Sequence, residues 1–400
     1  MGVPPVAAAP HGGPWMPPPP DDPPVTHAAP STLSGASSML VGVDVADVST
    51  DQGGGIWAVS ASKVYYFPPG ASQPATYDQS NGLARGWHIY EDPYFKGTPE
   101  SPATLPVTFT AVGGATAGQA IVGNMGAIAD RLRVDPKTGA VQSIENLAIT
   151  LKSTPADLLE DHGVRVIGTL KVITVLDGAK NGTAYLGGYH GFYALHGLKG
   201  DCGCASDFEE HQHYNGCDSS GEQGGCYDGE VFGLAMNPSG DLWAGDRHWV
   251  QLLPQRSLDP NAGLLDAKFV AAVDAFPGLR DEVHGLAVDA NGGVWVASDG
   301  NGLAYITSSN QTPMYWSAAT TLPMNHLHGA ALDPSGDLWI GTNGAGVARY
   351  DAATDHWTYY TAASSGLADD TINTIYVDQF SRTRRIFIAT HNGINVYEGP

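Results

Sequence analysis

Basic residues are scarce in this chain. Nineteen Lys and Arg stand against 41 Asp and Glu, for a formal net charge of -22. Such a surface has too few cations to displace counterions from a phosphate backbone, so nucleic acid is excluded as a partner and anionic membranes are disfavoured. It suits cationic ligands, metal ions or plain solubility. No run of 18 apolar residues occurs, so no membrane-spanning helix is expected. The motifs Gly-x-Ser-x-Gly, His-Glu-x-x-His, a Walker loop and a dinucleotide fingerprint are all missing, and no nucleotide cofactor is expected. Helical signals are rare too. One stretch, Thr154–His162, reads as a helix, with Pro155 at its first position and Gly163 just past its end.

What is abundant is glycine, in a repeat. Residues 233–243 read GLAMNPSGDLW, residues 285–295 read GLAVDANGGVW, and residues 329–339 read GAALDPSGDLW. Each unit is an apolar run, Asp or Asn, a turn containing Gly, and Trp at a fixed offset. The turn Asp333-Pro-Ser-Gly-Asp337 has Asp and Pro to start it and Gly to supply positive φ. Trp339-Ile-Gly is the return strand, Val347-Ala-Arg-Tyr a third and His356-Trp-Thr-Tyr-Tyr a fourth. Four short antiparallel strands in roughly 45 residues make one propeller blade.

The spacing extends along the chain. Blade 1 carries Asp51 to Trp57, then Lys63-Val-Tyr-Tyr-Phe; blade 2 spans Val107–Thr150 in degenerate form. Blade 3 starts near Gly168 and continues through Thr183-Ala-Tyr-Leu-Gly-Gly and Phe192-Tyr-Ala-Leu. Blades 4, 5 and 6 hold the clear repeats, and blade 7 covers Ile372–Val396. The predicted fold is therefore an all-β, seven-bladed propeller of four-stranded antiparallel blades over residues 39–400. Blade 7 shows only three strands, so a segment before Leu40 is expected to pair with Ile394–Tyr397 and close the ring. Residues 1–38 are Pro-rich and lack the apolar region of a signal peptide; they read as an extended linker and closing segment.

The repeat resembles the propeller units in sensor regions of bacterial two-component regulators. Gly329-Ala-Ala-Leu-Asp333, Leu338-Trp-Ile-Gly-Thr342 and Arg349-Tyr-Asp351 carry that resemblance. Streptogramin-lyase-like propellers look similar at this level. The resemblance implies a binding module in the first case and a lyase in the second. No kinase or DNA-binding segment accompanies it.

All four cysteines, Cys202, Cys204, Cys217 and Cys226, fall in a polar insertion at about 199–229, between blades 3 and 4. Its apolar residues are too few to hold it together. Two disulfides would each contribute on the order of 3 kcal/mol in the chain-entropy model. Cys202 and Cys204 are too close to bridge one another, so they are expected to pair with Cys217 and Cys226 in an order the sequence leaves open. The rival reading is a Cys₄ zinc site, which usually begins with two to four intervening residues rather than one. Disulfides imply an extracytoplasmic location.

The chain has 14 histidines, and their register is informative. In a propeller, the turn entering each inner strand and the turn between the second and third strands share one face, around the channel mouth. The entering positions are Asp44, Glu230, Glu282, His326 and Thr371; two residues further on stand Phe232, His284, His328 and Asn373. The other turns add His190, Asp246, Arg247, His248, Asp299, Asn343 and His391. Imidazole and carboxylate are ligands for divalent transition metals and are also general acids and bases. The expected metal set is His284, His326, His328 and Glu282, with Zn, Cu, Mg and Ca undistinguished. Glu230, Glu282, His190, Arg247, His248 and His391 are expected to line a ligand site. A single histidine at such a position more often bonds a neighbouring carbonyl than holds a ligand. Trp57, Trp243, Trp295 and Trp339 are expected to be inter-blade core.

Three functions fit. One is a binding module for a small molecule, glycan or protein at the channel mouth. Another is a metal-assisted lyase or hydrolase in which His284 or His328 moves a proton. The third is a structural interaction ring. The cysteine pattern gives a direct test: thiol titration of unfolded, unreduced protein should find almost no free thiol. Four titratable thiols, or thiols released only on zinc removal, would overturn both the disulfides and the location drawn from them.

Overall fold

The computed structural model describes residues 31–33, 35–83, 108–125, 129–146, 172–176, 183–188, 191–195, 208–212, 231–245, 250–253, 255, 282–307, 314–381 and 384–399. The expected helix at Thr154–His162 and all four cysteines lie outside them.

Nearly every described element is a strand, and the strands form antiparallel sheets in chain order. Sheet 1 holds Asp47–Thr50, Ile56–Ser60, Lys63–Phe67 and Ala75–Tyr77. Sheet 2 holds Thr108–Gly114, Gln119–Met125, Ala129–Val134 and Val141–Asn146. Sheet 3 holds Val172–Leu176, Thr183–Gly188, Gly191–Leu195 and Phe208–Gln212. Sheet 4 shows three strands among the described residues: Gly233–Met236, Leu242–Gly245 and Val250–Leu253. Sheet 5 holds Val283–Val288, Val294–Ser298, Gly302–Ile306 and Met314–Trp316. Sheet 6 holds Leu327–Leu332, Leu338–Thr342, Val347–Asp351 and His356–Tyr360. Sheet 7 holds Ile372–Val377, Arg384–Thr390 and Gly393–Gly399, and its outer strand is Ala36–Met39. That N-terminal strand pairs Ala36 with Tyr397 and Met39 with Ile394, the pairing expected of a segment before Leu40. The sheets fall into two compact units: one holds sheets 1 to 3, the other sheets 4 to 7 with the N-terminal strand.

One turn recurs and explains the Asp-to-Trp spacing. The side-chain oxygen of Asp51 accepts from the amides of Gly53 and Gly55; Asn237 accepts from Ser239 and Asp241; Asp289 from Asn291 and Gly293; Asp333 from Ser335 and Asp337. Each turn places a glycine at positive φ: Gly54, Gly240, Gly292 and Gly336. A three-residue hairpin loop of this kind needs that left-handed residue. The second carboxylate oxygen has its own task. In Asp51 and Asp333 it accepts the indole N–H of Trp57 at 3.0 Å and of Trp339 at 2.8 Å. Asn237 has an amide there, and the Trp243 indole nitrogen has no hydrogen-bond partner among the described residues. In the Asp51 and Asp333 turns the carboxylate thus holds the tryptophan at its fixed offset, whereas the second oxygen of Asp289 accepts from the Tyr305 hydroxyl.

Those tryptophans are core, as expected; Trp57 and Trp339 are fully buried. Trp295 packs with Leu303, Leu327, Leu338 and Tyr350 between sheets 5 and 6, and Trp339 with Ile372, Ile386 and Leu33 between sheets 6 and 7. Arg384 of sheet 7 lies over the Trp339 ring and pairs with both Asp333 and Asp337 of sheet 6. A short helix at Ala362–Ser365 was not legible from apolar periodicity. It is capped by Thr361 and ended by Gly366 at positive φ.

Asp333 is buried and neutralises Arg384 while accepting two amides and an indole. Asp333→Ala strands the two amides and the indole and leaves Arg384 with Asp337 alone, and should cost at least the roughly 1–3 kcal/mol of one buried unsatisfied group. Urea unfolding reads this directly, and a wild-type midpoint would refute it.

Candidate functional site

The site is built on the inner strands of sheets 5 and 6. Each begins with an irregularity. In sheet 5 Val283 pairs with Ser298 and Gly285 with Ala297, so His284 is an extra residue. In sheet 6 Leu327 pairs with Thr342 and Ala330 with Ile340, which leaves His328 and Gly329 opposite one residue. Sheet 7 does the same at Asn373 and sheet 2 at Thr110. A bulge bends the strand and re-aims one side chain out of the ladder.

A glycine follows each histidine because the next inner strand comes close. A Cβ on Gly285 would sit 2.4 Å from the Ala330 nitrogen and 2.6 Å from the Gly329 carbonyl carbon. Gly329, at φ +80°, faces the Ile375 nitrogen at 2.9 Å in the same way. With backbones this close, the side chains before the glycines meet. Phe232 stacks on His284 with centroids 5.3 Å apart, and His284 on His328 at 4.8 Å, the planes inclined by 17° and 16°. The register Phe232, His284, His328 read from the sequence is therefore a column of rings in successive sheets.

The entering turns are equivalent as well. The backbone N–H groups of Asp299, Asn343 and His391 donate to the carbonyls of Glu282, His326 and Thr371 in sheets 5, 6 and 7. Between neighbouring sheets, Asp299 bridges to His326 and Asn343 to Thr371. Only the first of these junctions is ionisable on both sides. There Asp299 Oδ1 meets His326 Nδ1 at 2.7 Å, and Asp299 Oδ2 lies 3.5 Å from His328 Nε2. Glu282 Oε2 meets His284 Nε2 at 2.8 Å.

Asp299 is thus the hub of the cluster. In the sequence it was one turn residue among seven. The structure gives it contacts with two histidines of the next sheet, and these define its chemistry. Contact with the His328 imidazole, aided by His326, pushes its pKa down to about 2 against the cost of burial. It is a carboxylate at any physiological pH. Burial and the neighbouring His328 hold the His284 pKa below 6.5, although Glu282 pulls the other way. The His284 imidazole, held towards its neutral form, therefore stands beside fixed negative charge. The ring nitrogen His328 Nε2 is buried and makes no hydrogen bond among the described residues. His284, Asp299 and His328 each bring one donor atom within 4.8 Å of the others, an arrangement suited to a metal ion.

Of the expected site residues, the structure brings together Glu282, His284, His326 and His328. His391 is exposed in the sheet 7 turn, at the place Asp299 has in sheet 5. His190, Glu230, Arg247 and His248 lie outside the described residues.

No protein-family model and no curated protein matches the chain. Solved structures do. The extracellular domain of the putative hybrid two-component system BT3049 from B. thetaiotaomicron matches at 15% identity and a TM-score of 0.55, over 88% of this chain and 39% of that one. The chain thus spans about two fifths of the length of that domain. The streptogramin B lyase structure matches at 13% identity and a TM-score of 0.55, over 90% and 95% of the two chains. The WD40 beta propeller domain of Doa1 matches at 10% identity and a TM-score of 0.53, over 92% and 96%. Identities this low carry the fold alone, and that fold is the β-propeller.

The His284 environment gives a pH prediction. The folded protein holds this imidazole neutral where the unfolded chain, titrating near 6.5, binds a proton. Its contribution to stability is complete above about pH 6.5 and is lost as the pH falls towards the folded value. Proton NMR should find His284 titrating below 6.5. Glu282→Gln removes a raising influence and should move it lower still. A rise in the variant would refute this account.

Proposed function

We propose that this protein is an extracytoplasmic binding module: a propeller over residues 39–400, tethered and closed by residues 1–38. Its site is the His/acid cluster of sheets 5 and 6, at the channel mouth. The ligand is a divalent metal ion together with a small molecule, a glycan or a protein segment. The observation that carries this reading is the convergence of Glu282, His284, Asp299, His326 and His328 from two adjacent sheets. Five ionisable side chains held half out of water are costly to the fold and gain their compensation from a ligand. Among the described residues no helix is long and apolar enough to cross a membrane. The matched extracellular domain lends support to the location, as does the cysteine pattern.

A second reading rests on the Asp299–His326 pair. The carboxylate accepts from Nδ1, so the other ring nitrogen of this exposed imidazole is the basic one. That arrangement suits proton transfer, and with a metal it would serve a lyase or hydrolase in which His284 and His328 complete the site.

Elemental analysis of purified protein, with and without chelator, separates these readings from a purely structural ring. Stoichiometric metal is expected. Replacing His284 and His328 together by Ala should abolish it and leave the circular dichroism spectrum unchanged. Normal metal content in the double variant would sink the binding reading, and turnover lost on chelation would favour the enzyme.

A further inference from the structure

The geometry points to a mononuclear, four-coordinate site for a late first-row divalent metal such as Zn²⁺, with His284, Asp299 and His328 as its protein ligands. This rests on the binding reading above, and it changes the ligand set and narrows the metal. The sequence pattern offered His326 and Glu282 as ligands; the contacts give both another job.

His328 Nε2 is a buried nitrogen with no hydrogen bond among the described residues, and Asp299 Oδ2 lies 3.5 Å away. That is long for a charged hydrogen bond, normally about 2.7–2.9 Å. It is the edge of a tetrahedron: ligand atoms about 2.0–2.2 Å from zinc stand about 3.3–3.6 Å apart. The third donor, from His284, is within 4.8 Å of both. Two of the three atoms are thus already at coordination spacing, and the stacked rings hold the third beside them.

Donor chemistry then selects the ion. Two imidazoles and one carboxylate suit zinc and its neighbours, whereas magnesium and calcium want oxygen ligands throughout. Glu282 bonds one ring nitrogen of His284 and so fixes the tautomer and orientation that present the other, the outer-shell role of a carboxylate behind a metal-binding histidine. His326 does the corresponding service for Asp299. It binds Oδ1 and leaves Oδ2 as the oxygen nearest His328. Three protein ligands leave a fourth position for an exogenous group. An oxygen donor such as a carboxylate or hydroxyl would enter there, beside the exposed His326 ring.

Single substitutions in the full chain test this, with Zn²⁺, Co²⁺ and Mg²⁺ alone as probes and calorimetry and the visible Co²⁺ spectrum as readouts. Asp299→Asn, which keeps the shape, should weaken Zn²⁺ by more than the roughly 10–100-fold that an outer partner costs; Glu282→Gln should fall within that range, and His326→Ala should cost less than Asp299→Asn. Bound Co²⁺ should show the intense bands of four-coordination, and added acetate should shift them. Circular dichroism and melting of each variant exclude unfolding as the cause. If Zn²⁺ binds the wild type but His326→Ala or Glu282→Gln costs more than Asp299→Asn, this ligand set is wrong while the binding reading stands. Mg²⁺ binding as tight as Zn²⁺, or weak six-coordinate Co²⁺ bands, overturns the assignment of the metal. If no divalent ion binds the wild type, both readings fall.

Discussion

The site depends on backbone contact at a glycine. Between sheets 5 and 6, the inner strands run so close at Gly285 that no side chain fits, since a Cβ there would lie 2.4 Å from the Ala330 nitrogen. Gly329 repeats the contact towards sheet 7. Any larger residue would force the strands apart. Because they stay together, the residue before each glycine must meet its counterpart. Phe232, His284 and His328 therefore stack, and the turn carrying Asp299 reaches the next sheet's histidines. The chemistry of the cluster is a by-product of how tightly adjacent sheets are held.

Carboxylates serve two separate ends in this fold, and their partners tell them apart. Asp333 and Asp378 are buried and are met by backbone amides and arginine, with an indole added at Asp333. These partners do not change charge near neutral pH, so the groups are framework. Asp299 and Glu282 are met by imidazoles, and both stay partly exposed. Their partners can lose or gain a proton or take a metal. Residue type and repeat position alone do not separate the two classes; the neighbours do.

Much of the framework was legible in the sequence. The Asp-to-Trp spacing is the visible trace of one turn, in which an Asp or Asn oxygen accepts from the amides two and four residues on, and in Asp51 and Asp333 the second oxygen also takes the indole six residues on. Hence the strands around Trp57, Trp243, Trp295 and Trp339 fell where they were expected. The N-terminal strand followed from counting strands in the last unit. The registers that align Glu282 with His326, and His284 with His328, also held, because repeats impose equivalent positions. What escaped was the bulge. An alternating pattern shows which face a residue takes only while the ladder is regular, and one extra residue leaves no compositional mark. The role of Asp299 escaped with it. A turn residue's reach into the next sheet depends on a separation of a few ångströms that the glycines set. The cysteine insertion is a different case: its four cysteines lie outside the described residues, and Phe208–Gln212 within it is the outer strand of sheet 3 rather than loop.

The bulged position has one more property. A residue at the bulge sits where the pairing register shifts, and regular pairing resumes on either side of it. Thr110, His284, His328 and Asn373 already hold four different inner strands at this place with three kinds of side chain. The side chain at the bulge makes bonds of its own, Asn373 to Asp44 and the Val45 carbonyl and His284 to Glu282. In such a protein shape and site chemistry are written on separate letters of the sequence: the turns, tryptophans and glycines hold the sheets together, and a few inner positions decide which side chains meet between them.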